Sequence, residues 1–174
     1  ELSTLLKEQE DPNVTVTPLG ADTKVVMISD FMPRFDASSS QLRVSHLLKM
    51  LASGGVSIDY LYFARDRRDK QYAAGHKGDI RFHYLDLDPA RYLQAILAIN
   101  PSILWVTNIW TIHYLNILKV LVGAVRQALP GTRVVLDTMD YHAKKFFRKY
   151  RTSKNVNDLR TAKEFLEGER VLYP

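Results

Sequence analysis

Val25-Val26-Met27-Ile28-Ser29-Asp30 is the stretch whose reading decides the fold. Four apolar residues followed by a polar pair read as a buried strand that ends in a polar residue. Phe31 to Ser40 is a loop rich in Pro, Asp and Ser. From Gln41 to Leu51, apolar Val44, Leu47, Leu48 and Leu51 recur at the spacing of one helix face. Strand, polar loop and helix at the start of an α/β chain build the ligand crevice of an open parallel sheet. Function is therefore expected here.

Outward from that stretch, the first strand covers Lys24 to Ser29 and the first helix Ser38 to Ser53. A Ser caps the helix, and Gly54-Gly55 stops it, since Gly takes the left-handed conformation without steric cost. Val56 to Phe63, rich in Val, Ile, Tyr and Phe, predicts a second strand, and Ile80 to Leu85 a third. Pro89 opens a helix to Ile99, and Ser102 to Thr107 is a fourth strand. The apolar positions Ile112, Leu115, Leu118, Leu121, Val122 and Val125 mark a long amphipathic helix ending before Pro130-Gly131. Arg133 to Asp137 is the fifth strand, and Tyr141 to Tyr150 and Asn157 to Leu172 read as helices. Five strands alternating with helices predict an α/β domain: a doubly wound, Rossmann-like parallel sheet of order 3-2-1-4-5. Residues 1–23 read as a lead-in segment and 24–174 as one domain. Arg65 to Lys77 reads either as a loop at the cleft mouth or as plain surface.

A chain of 174 residues is long enough for one hydrophobic core. It has no Cys, which rules out a disulfide framework or a thiolate metal site. The net charge of +5 suits anionic partners, or simply a surface slightly richer in Lys and Arg. Glu1 at the start and Pro174 directly after a helix read as the ends of a piece of a longer protein. No charged segment followed by an apolar run opens the chain, so no signal peptide is expected. Tyr92 to Leu118 carries no charged residue, long enough for a membrane span. Asn100-Pro101-Ser102 interrupts it, and a helix, a turn, a buried strand and a second helix explain it better.

The common fingerprints are missing. No G-x-G-x-x-G follows the first strand, and neither G-x-x-x-x-G-K-[ST] nor G-x-S-x-G occurs. H-E-x-x-H is absent too, which argues against a zinc enzyme. A phosphoacceptor receiver domain would want a Lys ending the fifth strand, where this chain has Asp137. Two polar clusters remain, both at expected strand ends. The first is Asp30 with the loop Pro33 to Ser40 and Arg43 one turn into the helix. Helix N-terminal N–H groups, small Ser residues and an Arg suit a phosphate or a hydroxyl-rich ligand; a helix cap plus surface turn is the plainer reading. The second is Asp137 with Asp140 and His142. Carboxylate and imidazole together could supply or orient a general base, or serve only as a cap with a hydrogen-bonded His; a metal site is the less favoured alternative, for want of further carboxylates. Both clusters belong to the carboxyl edges of strands one and five, so they could face one crevice.

These residues resemble a known family. Val25 to Leu61, with its strand, its loop carrying Ser29, Asp30, Pro33, Asp36, Ser39 and Arg43, and its helix ending at Gly54-Gly55, resembles the start of a bacterial glycosyltransferase of the two-domain GT-B type. Val134 to Arg148, V-V-L-D-T-x-D-x-H-x-x-x-x-x-R, is similar to a signature of some of these transferases. Members more often carry Ser-Gly where this chain has Ser39-Ser40. The resemblance implies an N-terminal, mainly acceptor-binding domain, inactive alone, with the nucleotide-sugar held by a C-terminal domain absent from this chain. It implies transfer of a sugar from a nucleotide-sugar to a hydroxyl of a glycan or lipid-linked acceptor, with no bound cofactor or metal. On that footing Asp36, Ser39, Ser40 and Arg43 contact acceptor or donor phosphate. Asp140 and His142 deprotonate or orient the acceptor hydroxyl, and Asp137 orients them. The expected location is cytoplasmic, at the inner face of the membrane, in polysaccharide biosynthesis. A non-catalytic α/β ligand-binding or regulatory module of a larger protein is the rival expectation.

Tyr141 to Asn157 holds Lys144, Lys145, Arg148, Lys149, Arg151 and Lys154 without an acid, interleaved with Phe146, Phe147 and Tyr150. Three readings are open: contact with an anionic membrane, nucleic-acid binding, which uses the same residue types, and a solvated helix with its aromatics in the core. No nucleic acid is expected among the partners.

Overall fold

A computed structural model of the chain describes residues 19, 22–107, 111–137 and 142–172. Its centre is strand β1 (Lys24–Phe31), whose Val25 to Ile28 are fully buried. The sheet continues with β2 (Ser57–Ala64), β3 (Ile80–Tyr84), β4 (Ile103–Thr107) and β5 (Arg133–Asp137). All neighbours pair in parallel, in the order β3-β2-β1-β4-β5. The order expected from the sequence is the order found. A parallel sheet must be covered on both faces, and β1 and β4 show it as near-continuous apolar runs.

Alternation along β1 divides the core in two. Val25 and Met27 face helix α1 (Ser39–Ser53) and the short helix α2 (Asp69–Ala74), packing with Val44, Leu48, Ile58, Tyr60 and Tyr72. Val26 and Ile28 face α3 (Pro89–Ile99), α4 (Ile112–Ala128), α5 (His142–Ser153) and α6 (Val156–Leu172). There they join Leu104, Val106, Leu115, Leu118 and Phe165. The helix after β1 lies on one face and the helix before β4 on the other, so the winding reverses between β1 and β4. This is a Rossmann-like, doubly wound α/β domain, and its switch point sits at the carboxyl ends of those two strands.

Local chemistry sets the boundaries. Ser38 caps α1 and accepts a 3.4 Å hydrogen bond from the Gln41 N–H. Gly55, at φ +80°, supplies the left-handed residue after the helix. Asp88 and Pro89 start α3, and left-handed Asn100 ends it. The charge-free stretch from Tyr92 folds as helix, turn, strand and helix, and among the described residues no helix is long and apolar enough to cross a membrane. Two expectations shift. β1 runs on to Phe31 instead of ending at Ser29, and the Arg65–Lys77 segment contains α2, held by buried Tyr72. Most of the expected lead-in lies outside the described residues.

The sheet edge at β3 is locked by charge. Asp59 on β2 is buried, and Arg81 donates to it from Nε (2.9 Å) and Nη2 (2.7 Å). His83 Nε2 lies 2.7 Å from the same carboxylate. Hydrogen bonds from Arg81 and His83 outweigh the effect of burial and hold the Asp59 carboxyl below its usual range. Its stabilising contribution is present above the unfolded value and is lost as pH falls through the folded one. Arg81→Ala is expected to cost about 2–3 kcal/mol at pH 7 in urea unfolding, less than the full cost of stranding a buried charge because His83 remains. A loss below about 0.5 kcal/mol would show that the pair contributes little.

Candidate functional site

The switch point presents polar groups to both faces. Because β1 continues past Ser29, Asp30 sits inside the strand and is only 6 % exposed. Its Oδ1 accepts hydrogen bonds from the Ser29 hydroxyl (3.1 Å) and the Phe31 N–H (2.9 Å). Burial pushes its carboxyl up to about 6, an effect that those two hydrogen bonds and the Arg34 charge only partly offset. Asp30 shares its side of the sheet with Tyr114 of α4, whose hydroxyl is buried, has no hydrogen-bond partner, and is raised by burial and by the charge of Asp30. The Tyr92 hydroxyl of α3 is likewise buried and unpartnered. Tyr60, on the α1 side, donates to the Phe31 carbonyl at 2.9 Å and fixes the strand end.

The α1 side carries the second set. Thr107 ends β4 fully buried, with Oγ1 unpartnered, directly across from Asp137 in the β4–β5 register. Residues aligned in parallel strands point to the same face. Arg43 Nη2 reaches the Asp137 carboxylate at 2.6 Å, so that face is the α1 face. This ion pair joins the loop–helix cluster after β1 to the cluster after β5, residues 94 apart in sequence. Arg43 is 45 % exposed, so the pair adds little to stability, and its significance is geometric.

Other residues singled out from sequence separate. Ser39 is exposed, whereas Ser40 is buried with its hydroxyl 2.9 Å from that of Ser38. Asp36 is tied to α2: the Tyr72 hydroxyl donates to it at 2.6 Å, and Arg68 lies 3.6 Å away. Arg34 pairs with Asp66 at 3.0 Å, so the 65–74 segment folds against the β1–α1 loop. His142 opens α5 at 7 % exposure, its ring stacked on Phe165 with centroids 4.9 Å apart. Glu169 of α6 is buried, and the backbone N–H groups of Ala143 and His142 favour its charged form. Burial raises the Glu169 carboxyl above its usual range. Asp140 lies outside the described residues.

Sequence reasoning passed over Thr107, Tyr114 and Glu169 and gave Asp30 no role of its own. A signal existed for two of them. Asp30 and Thr107, like Asp137, are polar residues closing otherwise apolar strands. Nothing local marks Tyr114 or Glu169, whose burial depends on helices packing far from them in sequence.

The fold and crevice define a class, a Rossmann-like α/β domain with a polar switch point. No known family profile and no curated protein matches the chain. Among solved structures, a double variant of a short-chain dehydrogenase/reductase from Serratia marcescens superposes with a TM-score of 0.45 at 17 % identity. The match covers 69 % of this chain and 56 % of that one, so this chain spans little more than half the length of that enzyme. Likeness at this level says nothing about chemistry.

Proposed function

We propose that this chain is the N-terminal, acceptor-side domain of a GT-B type glycosyltransferase, whose nucleotide-sugar is bound by a second Rossmann-like domain of the whole protein. The observation that carries the reading is the 2.6 Å contact between Arg43 and Asp137. It brings both stretches that resemble these transferases to one crevice at the carboxyl edge. There Ser39, at the α1 N-terminus, and Arg43 suit an anionic or hydroxyl-rich ligand. A carboxyl raised to about 6, as Asp30 is, can take a proton from a hydroxyl near neutral pH. Asp30 thus joins Asp140 and His142 as a candidate base, with Asp137 steadying Arg43. The β1–α1 loop has no glycine between Asp30 and Arg43, so a dinucleotide pyrophosphate would lack the close backbone approach it needs.

Amide NMR of the 174-residue chain tests the reading. A hydroxyl-rich oligosaccharide should perturb Ser38 to Arg43 and Asp137 to His142, and a nicotinamide dinucleotide should not. Perturbation by the dinucleotide alone, or sugar transfer by this chain without a second domain, would refute it. In the whole enzyme, Ala at the residue that acts as base (Asp30, Asp140 or His142) should lower turnover about a hundredfold or more. Normal turnover in all three variants would overturn the assignment.

A further inference from the structure

The helix after β5 carries a surface feature independent of sugar transfer. At about 100° per residue, Lys144, Lys145, Arg148, Lys149 and Arg151 of α5 fall within one half of the helix circumference. Ala143, Phe146, Phe147 and Tyr150 occupy the other half. That apolar half is already used: α5 packs on α6, which packs on α4, and the Phe146 ring stacks on Phe165 at 5.7 Å. α5 is thus an outer helix with its basic half turned outward.

Carboxylates leave several of these cations unpaired. Asp158 of α6 is buried and pairs with Lys149 at 2.9 Å while also accepting from Ser153. Glu164 lies beside Arg160. Among the described residues no carboxylate is within ion-pair distance of Lys144, Arg148, Arg151 or Lys154. Lys154, in the left-handed conformation at φ +56°, turns the chain into α6 and brings Val156, 72 % exposed, beside the basic face.

From these features we infer that the outer face of α5, with the α5–α6 corner, docks on an anionic lipid bilayer. Lys144, Arg148, Arg151 and Lys154, with one exposed apolar side chain at the same corner, complement a negatively charged surface. Each cation near the headgroups strengthens binding, and Val156 can enter the interface. Single-stranded nucleic acid would use exposed rings as stacking platforms, and here Phe146 is stacked against α6 and Phe147 and Tyr150 are half-buried. The attachment is therefore electrostatic, unlike that of an amphipathic helix lying apolar face down.

Vesicle co-sedimentation of the 174-residue chain tests this. Vesicles with about 30 % anionic phospholipid should retain the protein at about 0.1 M salt, and neutral vesicles should not. Raising salt to about 0.5 M should release it. Lys144→Gln with Arg148→Gln, both exposed and free of side-chain partners, should lower the partition about thirtyfold, and Val156→Ser about fivefold. Lys49→Gln with Lys77→Gln removes the same charge elsewhere and should leave the partition within about twofold. Equal binding to neutral vesicles, an equal loss in the Lys49/Lys77 variant, or tighter binding to a single-stranded oligonucleotide at the same salt would each overturn the inference.

Discussion

Asp30→Asn is expected to stabilise the chain by about 2–3 kcal/mol at pH 8 and to change stability little at pH 4. The sign follows from where the proton sits. In the folded chain the carboxyl is raised from 3.8 to about 6, chiefly by burial. Below the unfolded value it is neutral in both states and costs nothing. As pH rises through about 6, the folded chain must either hold a desolvated carboxylate or keep its proton against the solvent, and the favourable contribution is lost. Asn has the same shape, keeps an oxygen to accept from Ser29 and the Phe31 N–H, and never ionises. Urea midpoints at pH 4, 6 and 8 measure the effect. A gain equal at all three pH values, or a loss at pH 8, would refute it. A buried carboxylate kept at such cost, at a switch point, is what a working group looks like. The same variant should therefore weaken function while it strengthens the fold.

Phe165→Ala should cost about 3–5 kcal/mol, the range for removing a large buried aromatic ring. Phe165 is 2 % exposed and touches both His142 and Phe146, so its ring is the main apolar anchor of α5 on α6. The loss should be uneven. Amide exchange from His142 to Ser153 should accelerate more than exchange in β1 or β4, because α5 lies outermost. Urea unfolding gives the first quantity and hydrogen exchange the second. A cost below about 1 kcal/mol with unchanged exchange in α5 would show that the stacking is incidental.

The architecture was legible because most of the strands are short runs rich in apolar and β-branched residues, set apart by turn and helix signals. α3, bounded by Asp88-Pro89 and Asn100, and β5, closed by Asp137, have the limits their residues announce. The switch point followed from the strand order. What stayed hidden depends on contacts between residues far apart. Asp36 reads as a free loop carboxylate until Tyr72, 36 residues on, donates to it. Asp30 reads as a strand end until β1 is seen to continue and bury it. His142 reads as an exposed imidazole until Phe165, from the last helix, stacks on it. The Arg43–Asp137 contact lies between the two: each residue was singled out separately, and only the parallel pairing of β1, β4 and β5 brings them together.

The division of the core by the two faces of β1 also sets an order of assembly. Every buried or packed residue of the α1-side cluster lies between Val25 and Trp105, so that half can close once β4 has been synthesised. The opposite face, with Val26, Ile28, Leu61, Leu104 and Val106, has only Tyr92 and Ile96 of α3 over it until Leu115 and Leu118 of α4 arrive, and its packing is completed only by Phe165 and Leu172. During synthesis a sheet with one apolar face only partly covered must exist for the time it takes to make some sixty further residues, at about 5–20 residues per second. That interval is when the chain is most open to aggregation, and when a chaperone has most to offer it.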